Sequence, residues 1–174
     1  MRPATPALPL PAAVSARLLA PADAAALAAL RLAVLGGARD ETAALGQQIA
    51  ARDRNLMAGA FGPDDSLLAA CAVHWADPHP AVAHKALLWG LVVVPEWRRL
   101  GLARAVTQLA LEQAFARGAR RVNLQVYLPN AAAVALYRSL GFEAWGTEPE
   151  ALWAEGRFQD CLNMSLASPH AASR

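Results

Sequence analysis

The sequence predicts one α/β (α+β) domain, a mixed central sheet of about seven strands flanked by about four helices. Three observations carry this. Ala86 to Val94 is apolar almost throughout and stops at Pro95, as expected of a strand buried on both faces. Leu100 to Arg117 carries apolar residues at 102, 106, 109, 110 and 115 and ends at Gly118, the pattern of a helix packed along one side. Arg121 to Tyr127 is again a strand, so strand, helix and strand form a crossover unit whose strands run parallel. At 174 residues the chain has the length of one domain with one core.

The remaining elements follow in chain order. Residues 1–15 place prolines at 3, 6, 9 and 11 inside a stretch that otherwise combines a basic residue with apolar ones, which breaks the apolar run of a secretory signal. They are expected to be a disordered leader of a cytoplasmic protein, ahead of a domain over 16–167 and a flexible tail over 168–174. Ala16 to Ala20 reads as a short strand. Pro21-Ala22-Asp23 supplies turn and N-cap chemistry for an apolar helix through Leu35, which Gly36-Gly37 stops. Asp40 to Asp53 is a second, weaker helical pattern. Leu56 to Phe61 and Leu67 to Trp75 flank Gly62-Pro63-Asp64-Asp65, a hairpin turn, and a polar loop from Ala76 to His84 leads into the central strand. Beyond Tyr127, Asn130 to Leu140 is a helix stopped by Gly141. Phe142 to Gly146 then pairs antiparallel with Arg157 to Leu166 across a loop from Thr147 to Gly156.

Composition narrows the functional classes. Apolar residues make up 56% and charged residues 17%, too apolar for a disordered chain, and no uninterrupted apolar run approaches the roughly 20 residues of a membrane span. A formal charge of +2 is small and dispersed, whereas nucleic-acid binding rests on a concentrated basic face. Neither a nucleic-acid nor a membrane partner is expected. Cys71 and Cys161 lie in apolar contexts with no metal-ligand spacing, so they read as buried free thiols, and no metal is expected.

The chemistry concentrates in Val92-Val93-Val94-Pro95-Glu96-Trp97-Arg98-Arg99-Leu100-Gly101-Leu102-Ala103-Arg104, which joins the buried strand to a helix through Arg-x-x-Gly-x-Ala. The free N–H groups and positive dipole end of a helix make an anion site, and small residues at 101 and 103 let a phosphate approach the backbone. Arg98, Arg99 and Arg104 add charge-assisted contacts to the same anion. About thirty residues later comes Asn130-x6-Tyr137-x3-Gly141-Phe142. Strand, Val-x-Pro, Arg-x-x-Gly-x-Ala, helix, strand and this second motif, in that order and spacing, resemble the signature of the GNAT N-acetyltransferase superfamily. The resemblance covers residues 86–166 well and the first 85 in outline.

That resemblance implies the acyl-CoA N-acyltransferase fold and acetyl-CoA as cosubstrate. It puts the pantetheine arm along the backbone of Val92, Val93 and Val94. The diphosphate falls on the amides of the turn from Arg99 through Leu100, Gly101, Leu102 and Ala103 to Arg104, and Asn130 on the pantetheine side. Tyr137 lies near the thioester sulfur as general acid, because a departing thiolate needs a proton or a hydrogen bond. Asn130 is equally suited to cap its helix, and both roles are compatible.

The acceptor side departs from the family pattern. An amine with a lysine-like pKa of about 10.4 must lose a proton before it attacks. Family members often carry a glutamate four residues before the position of Val92 or five before the asparagine; here those positions are Leu88 and Gln125. The remaining base candidates are Glu148 and Glu150, with His84, His74 and Asp77 near the loop entering the central strand. Trp153, beside the two glutamates, suits recognition of a cation. The connection between the first two helices is a further place for an acceptor. Two function classes follow: transfer of acetyl to a primary amine of a small molecule or protein N-terminus by direct attack, in a monomer or homodimer, or an acyl-CoA-binding module without catalysis. Neither Gly-x-Gly-x-x-Gly nor Gly-x4-Gly-Lys-Ser/Thr occurs, against a nucleotide-binding protein of another fold.

Overall fold

The computed structural model describes residues 10–36, 41–75, 79–154 and 156–169. Strands β1 (Ser15–Leu18), β2 (Asn55–Phe61), β3 (Leu67–His74), β4 (Lys85–Val93), β5 (Arg121–Tyr127), β6 (Glu143–Ala154) and β7 (Arg157–Ala167) form one sheet in the order β1-β2-β3-β4-β5-β7-β6. β4 is the middle strand, and the β4–β5 pair is the parallel one, as the apolar run and the crossover predict. It is not, however, buried on both faces: Ala86 and Leu88 are buried under α3, while Lys85 and Leu87, on the opposite face, are exposed. Helices α1 (Ala24–Leu35) and α2 (Thr42–Ala50) pack on one face, α3 (Leu102–Ala116) and α4 (Ala131–Ser139) on the other.

Each face has its own core. Val106, Ala110, Ala114, Val134 and Tyr137 pack against Leu56, Cys71, Val73, Leu88, Val122 and Leu124. Opposite, Leu27, Leu30, Leu45 and Ile49 pack against Met57, Phe61, Ala70 and Val92. Burying each large aliphatic side chain contributes about 1.5–3 kcal/mol, so both helix pairs are held by packing rather than by helix propensity. Leu10 and Val14, within the stretch expected as a leader, pack against the first core, while residues 1–9 lie outside the described residues. Among the described residues no helix is long and apolar enough to cross a membrane.

Local signals are realised with three corrections. The hairpin turn forms as read, with Gly62 N–H donating to Ser66 O at 2.9 Å and Asp65 in the left-handed region at φ 61°. Gly36 ends α1 at φ 71°. Asp23, however, does not cap α1 with its side chain. Its carboxylate instead accepts from Ala20 N at 2.7 Å and from both terminal nitrogens of Arg17 at 2.7 and 2.8 Å, since a bidentate charged partner outweighs a neutral amide. The second helix is shorter than Asp40 to Asp53, and Asp40 lies outside the described residues. The expected loop from Thr147 to Gly156 is mostly strand. β6 runs to Ala154, with a bulge between Glu148, opposite Cys161, and Leu152, opposite Gln159. An edge strand and a bulge are the places where a sheet tolerates Pro149.

Candidate active site

The site begins with a fault in the sheet. β4 and β5 pair only at Lys85–Arg121, Ala86–Val122 and Leu87–Asn123, after which they part. The β3–β4 register supplies the reason. Ala72 faces Trp89 and Ala70 faces Val92, so β4 uses three residues where β3 uses two. Gly90 sits in this bulge at φ 66°, with nothing within 4 Å of an added Cβ, so glycine serves the backbone angle there rather than a close contact. A bulge adds local twist, which swings the end of β4 away from β5 and leaves its β5-facing main-chain groups, over the stretch holding Val92 and Val93, without a ladder partner. The extra residue also switches faces: Leu88, Leu91 and Val93 look toward α3, Trp89, Val92 and Val94 toward α1.

The turn that follows is shaped for an anion. Arg99 at φ 66° and Gly101 at φ 86° both lie in the left-handed region, and they wrap the chain so that Gly101 becomes the N-cap of α3. No side chain caps this end, and the first helical bond runs from Ala105 N to Gly101 O at 3.0 Å. The amides of Leu102, Ala103 and Arg104 therefore stand as free donors at the positive end of the helix dipole. Leu100 is exposed, so its side chain has no part in packing here. Arg98 and Arg99 are exposed, with Arg98 Nε donating to Val93 O at 3.3 Å. Arg104 bridges α3 and α4: one amino nitrogen donates to Ser139 Oγ at 2.6 Å and the other is buried with no partner among the described residues. A buried unpartnered guanidinium nitrogen is costly unless an anion completes it.

α4 carries the two motif side chains. Asn130 is its N-cap, Oδ1 accepting from Ala133 N at 3.1 Å, and its side-chain amide nitrogen has no partner among the described residues. Tyr137, 7% exposed, packs edge-on to Phe142 at 5.7 Å, and its hydroxyl has no hydrogen-bond partner among the described residues. Burial, with a smaller contribution from the neighbouring Cys71, pushes the phenol up to about 12. It is a neutral proton donor throughout the physiological range. Cys71, a free and buried thiol as expected, donates to Val106 O at 3.3 Å and is pushed up to about 12 by burial. It stays protonated, and a thiol in that state is no nucleophile.

On the other sheet face the acceptor-side candidates separate. Gln125, five residues before Asn130, donates from Nε2 to Glu148 Oε2 at 2.5 Å and to Asn163 Oδ1 at 3.5 Å. The β5–β7–β6 register produces this cluster, since Gln125 faces Asn163 and Glu148 faces Cys161 one step along. A carboxylate thus reaches, from β6, the strand position where the family pattern places its own. Glu150 sits in the bulge at φ 53°, its amide donating to Asp160 Oδ1 at 3.0 Å. Trp153 stacks edge-on with Phe158 at 4.8 Å near the outer end of the hairpin, away from that cluster. His74 Nδ1 is bonded to Asn55 Oδ1 at 2.9 Å. The His84 carbonyl accepts the Arg120 and Arg121 amides, and Asp77 lies outside the described residues. Asn163, Ser139 and the Gly90 bulge were not singled out from sequence; an isolated glycine in an apolar strand is the signal for the last of these.

A sheet parted beside a helix N-terminus, with an orphan guanidinium between two helices, defines a site for an extended, anion-bearing molecule. The Acetyltransferase (GNAT) family matches residues 35–142, more than half of the chain, and the chain belongs to that family. Over 100 residues it is 36% identical to the mycothiol acetyltransferase of Paenarthrobacter aurescens (strain TC1), covering 51% of this chain and 30% of that protein. Over 61 residues it is 41% identical to the ribosomal protein bS18-alanine N-acetyltransferase of Escherichia coli (strain K12), covering 35% of this chain and 41% of that protein. The chain therefore spans less than half the length of these relatives. A structure from Salmonella typhimurium, described as an acetyltransferase with its cofactor acetyl-CoA, shares the fold with a TM-score of 0.80 at 21% identity, over 93% of this chain and 98% of that one.

Proposed function

We propose that this chain is an acetyl-CoA-dependent N-acetyltransferase acting on a primary amine of a small molecule or protein N-terminus by direct attack. The observation that carries the reading is the parting of β4 from β5 after Leu87 and Asn123, flanked by Tyr137 on one face and Glu148 on the other. The free edge of β4 suits the amide-rich pantetheine arm as an added strand. The amides from Gly101 to Arg104, the unpartnered Arg104 nitrogen, and Arg98 and Arg99 suit the diphosphate. Asn130 offers its free amide to the pantetheine side.

Acid and base then stand on opposite sides of the gap. Glu148, held by Gln125, takes a proton from the acceptor ammonium. The amine nitrogen bonds to the acetyl carbon as the carbon–sulfur bond breaks, and Tyr137 gives its proton to the departing sulfur. The second proton shed by the new amide nitrogen restores Tyr137 through solvent, so one acetyl-CoA and one ammonium yield one amide, one thiol and one released proton. A buried protonated Cys71 favours direct attack over an acyl-cysteine route. The Glu148–Gln125 pair favours catalysis over a binding-only module, which has no use for a carboxylate there. Glu150, which has no contact with Gln125 among the described residues and sits in the bulge, is the weaker base candidate. Acetyl-CoA should raise the melting temperature, and an amine panel should release thiol. No thermal shift with the wild type would sink the site; a shift without thiol release from any amine would leave the binding-only module.

A further inference from the structure

The sheet face that carries Gln125 and Glu148 continues down β5 into a cavity of about 300 Å³ lined by Lys85, Arg121, Asn123, Glu143, Trp145 and Ser165. Asn123 and Gln125 are alternate residues of β5 and Ser165 and Asn163 of β7, so the cavity and the Glu148 cluster are successive stretches of one sheet face. Lys85 and Arg121 are register partners on the parallel pair, which sets their side chains beside each other on adjacent strands about 4.8 Å apart. Arg121 is aimed by a hydrogen bond to Ser165 Oγ at 2.8 Å, and among the described residues neither cation has an ion-pair partner. Like charges directly across a ladder repel. Both cations are exposed to solvent along the cavity, Glu143 is the one carboxylate in its lining, and the lining therefore carries a net positive charge.

We propose that this cavity is the far half of the acceptor site and takes an anionic group, carboxylate or phosphate, of an amine acceptor. The inference rests on the proposed acetyl transfer, with the acceptor amine at Glu148. Two to four residues of β5 separate Gln125 from Asn123 and Arg121, so amine and anion lie roughly 7–13 Å apart. Trp145, exposed on the cavity wall, covers an apolar spacer between them.

The test compares aminohexanoate and aminooctanoate, each with a terminal amine, with their carboxamides and with aminohexylphosphonate, measured as thiol release. The wild type should prefer the acids to the carboxamides by about tenfold or more in kcat/KM, expressed through KM. Arg121→Gln and Lys85→Gln should raise KM for the acids far more than for the carboxamides, and the carboxylate and phosphonate arms identify which anion fits. Equal use of acid and carboxamide, or an acid preference unchanged in both variants, overturns the subsite. Should no amine in the panel be acetylated, calorimetry of aminohexanoate with the coenzyme A-loaded protein decides. Binding that is lost in the double variant and weakened by salt supports the subsite, and no binding in the wild type overturns it. A missing thermal shift with acetyl-CoA would defeat the transfer reading itself. An intact shift without anion preference defeats only the subsite.

Discussion

The two sides of the gap between β4 and β5 are made of different material. Toward α3 and α4 the surface is main chain and apolar packing: free amides at the start of α3, an unpaired edge on β4, and Tyr137 among Cys71 and Phe142. Toward the proposed acceptor side the surface is side chains in register on β5, β7 and β6, namely Gln125, Asn163 and Glu148, then Asn123, Ser165 and Arg121, with Lys85 at the start of β4. On the proposed reading, the unvarying cosubstrate is met by backbone geometry, which point substitutions barely alter. The acceptor is met by exposed side chains, which can be exchanged without disturbing the core. The difference predicts that changes on the first side act through affinity or the shared chemistry and changes on the second through acceptor choice and proton removal.

The largest effect should come from the main-chain side. Gly101→Glu places a side chain where φ is 86° and a negative charge at the helix N-terminus, so the acetyl-CoA thermal shift should vanish. A retained shift would break the division drawn above. Next, Glu148→Gln should lower kcat on the order of 10³-fold with acetyl-CoA affinity intact. An unchanged kcat would remove Glu148 as base. Tyr137→Phe should lower kcat on the order of 10²-fold with the thermal shift unchanged. Its phenol, held near 12, keeps its proton through neutral pH, so no basic limb from it should appear below about pH 11.

Smaller effects sharpen the comparison. Arg104→Gln should weaken acetyl-CoA several-fold without altering acceptor preference, because its unpartnered nitrogen lies between α3 and α4. Stability should respond to alkali. Cys71 and Tyr137 rise to about 12 from ordinary values of 9 and 10, so the folded state favours their protonated forms. That contribution is complete below about pH 9 and is lost as pH climbs toward 12, since only the unfolded chain ionises readily in that window. Melting temperature should fall across it, and less steeply in Tyr137→Phe.

Much of this was legible in the sequence. The seven strands, four helices and central β4 follow from apolar period, turn residues and glycine stops, all local properties. The anion turn follows from small residues where a strand meets a helix N-terminus, and the Asn130 and Tyr137 roles are what the resemblance to the GNAT signature implies. The Thr147 to Gly156 stretch was misread because Pro149 and two glutamates look like loop chemistry. On an edge strand with a bulge they are accommodated.

By itself, then, the chain order of residues determined the crossover unit, the middle strand and the turn into α3 with its free amides, because each rests on contacts between neighbours in sequence. Only the tertiary structure decided that β7 inserts between β5 and β6. That insertion sets Glu148 against Gln125, and Ser165 against Arg121. Strand order and register are settled by which faces bury together across the whole sheet, and no local pattern encodes partners 23 and 44 residues apart.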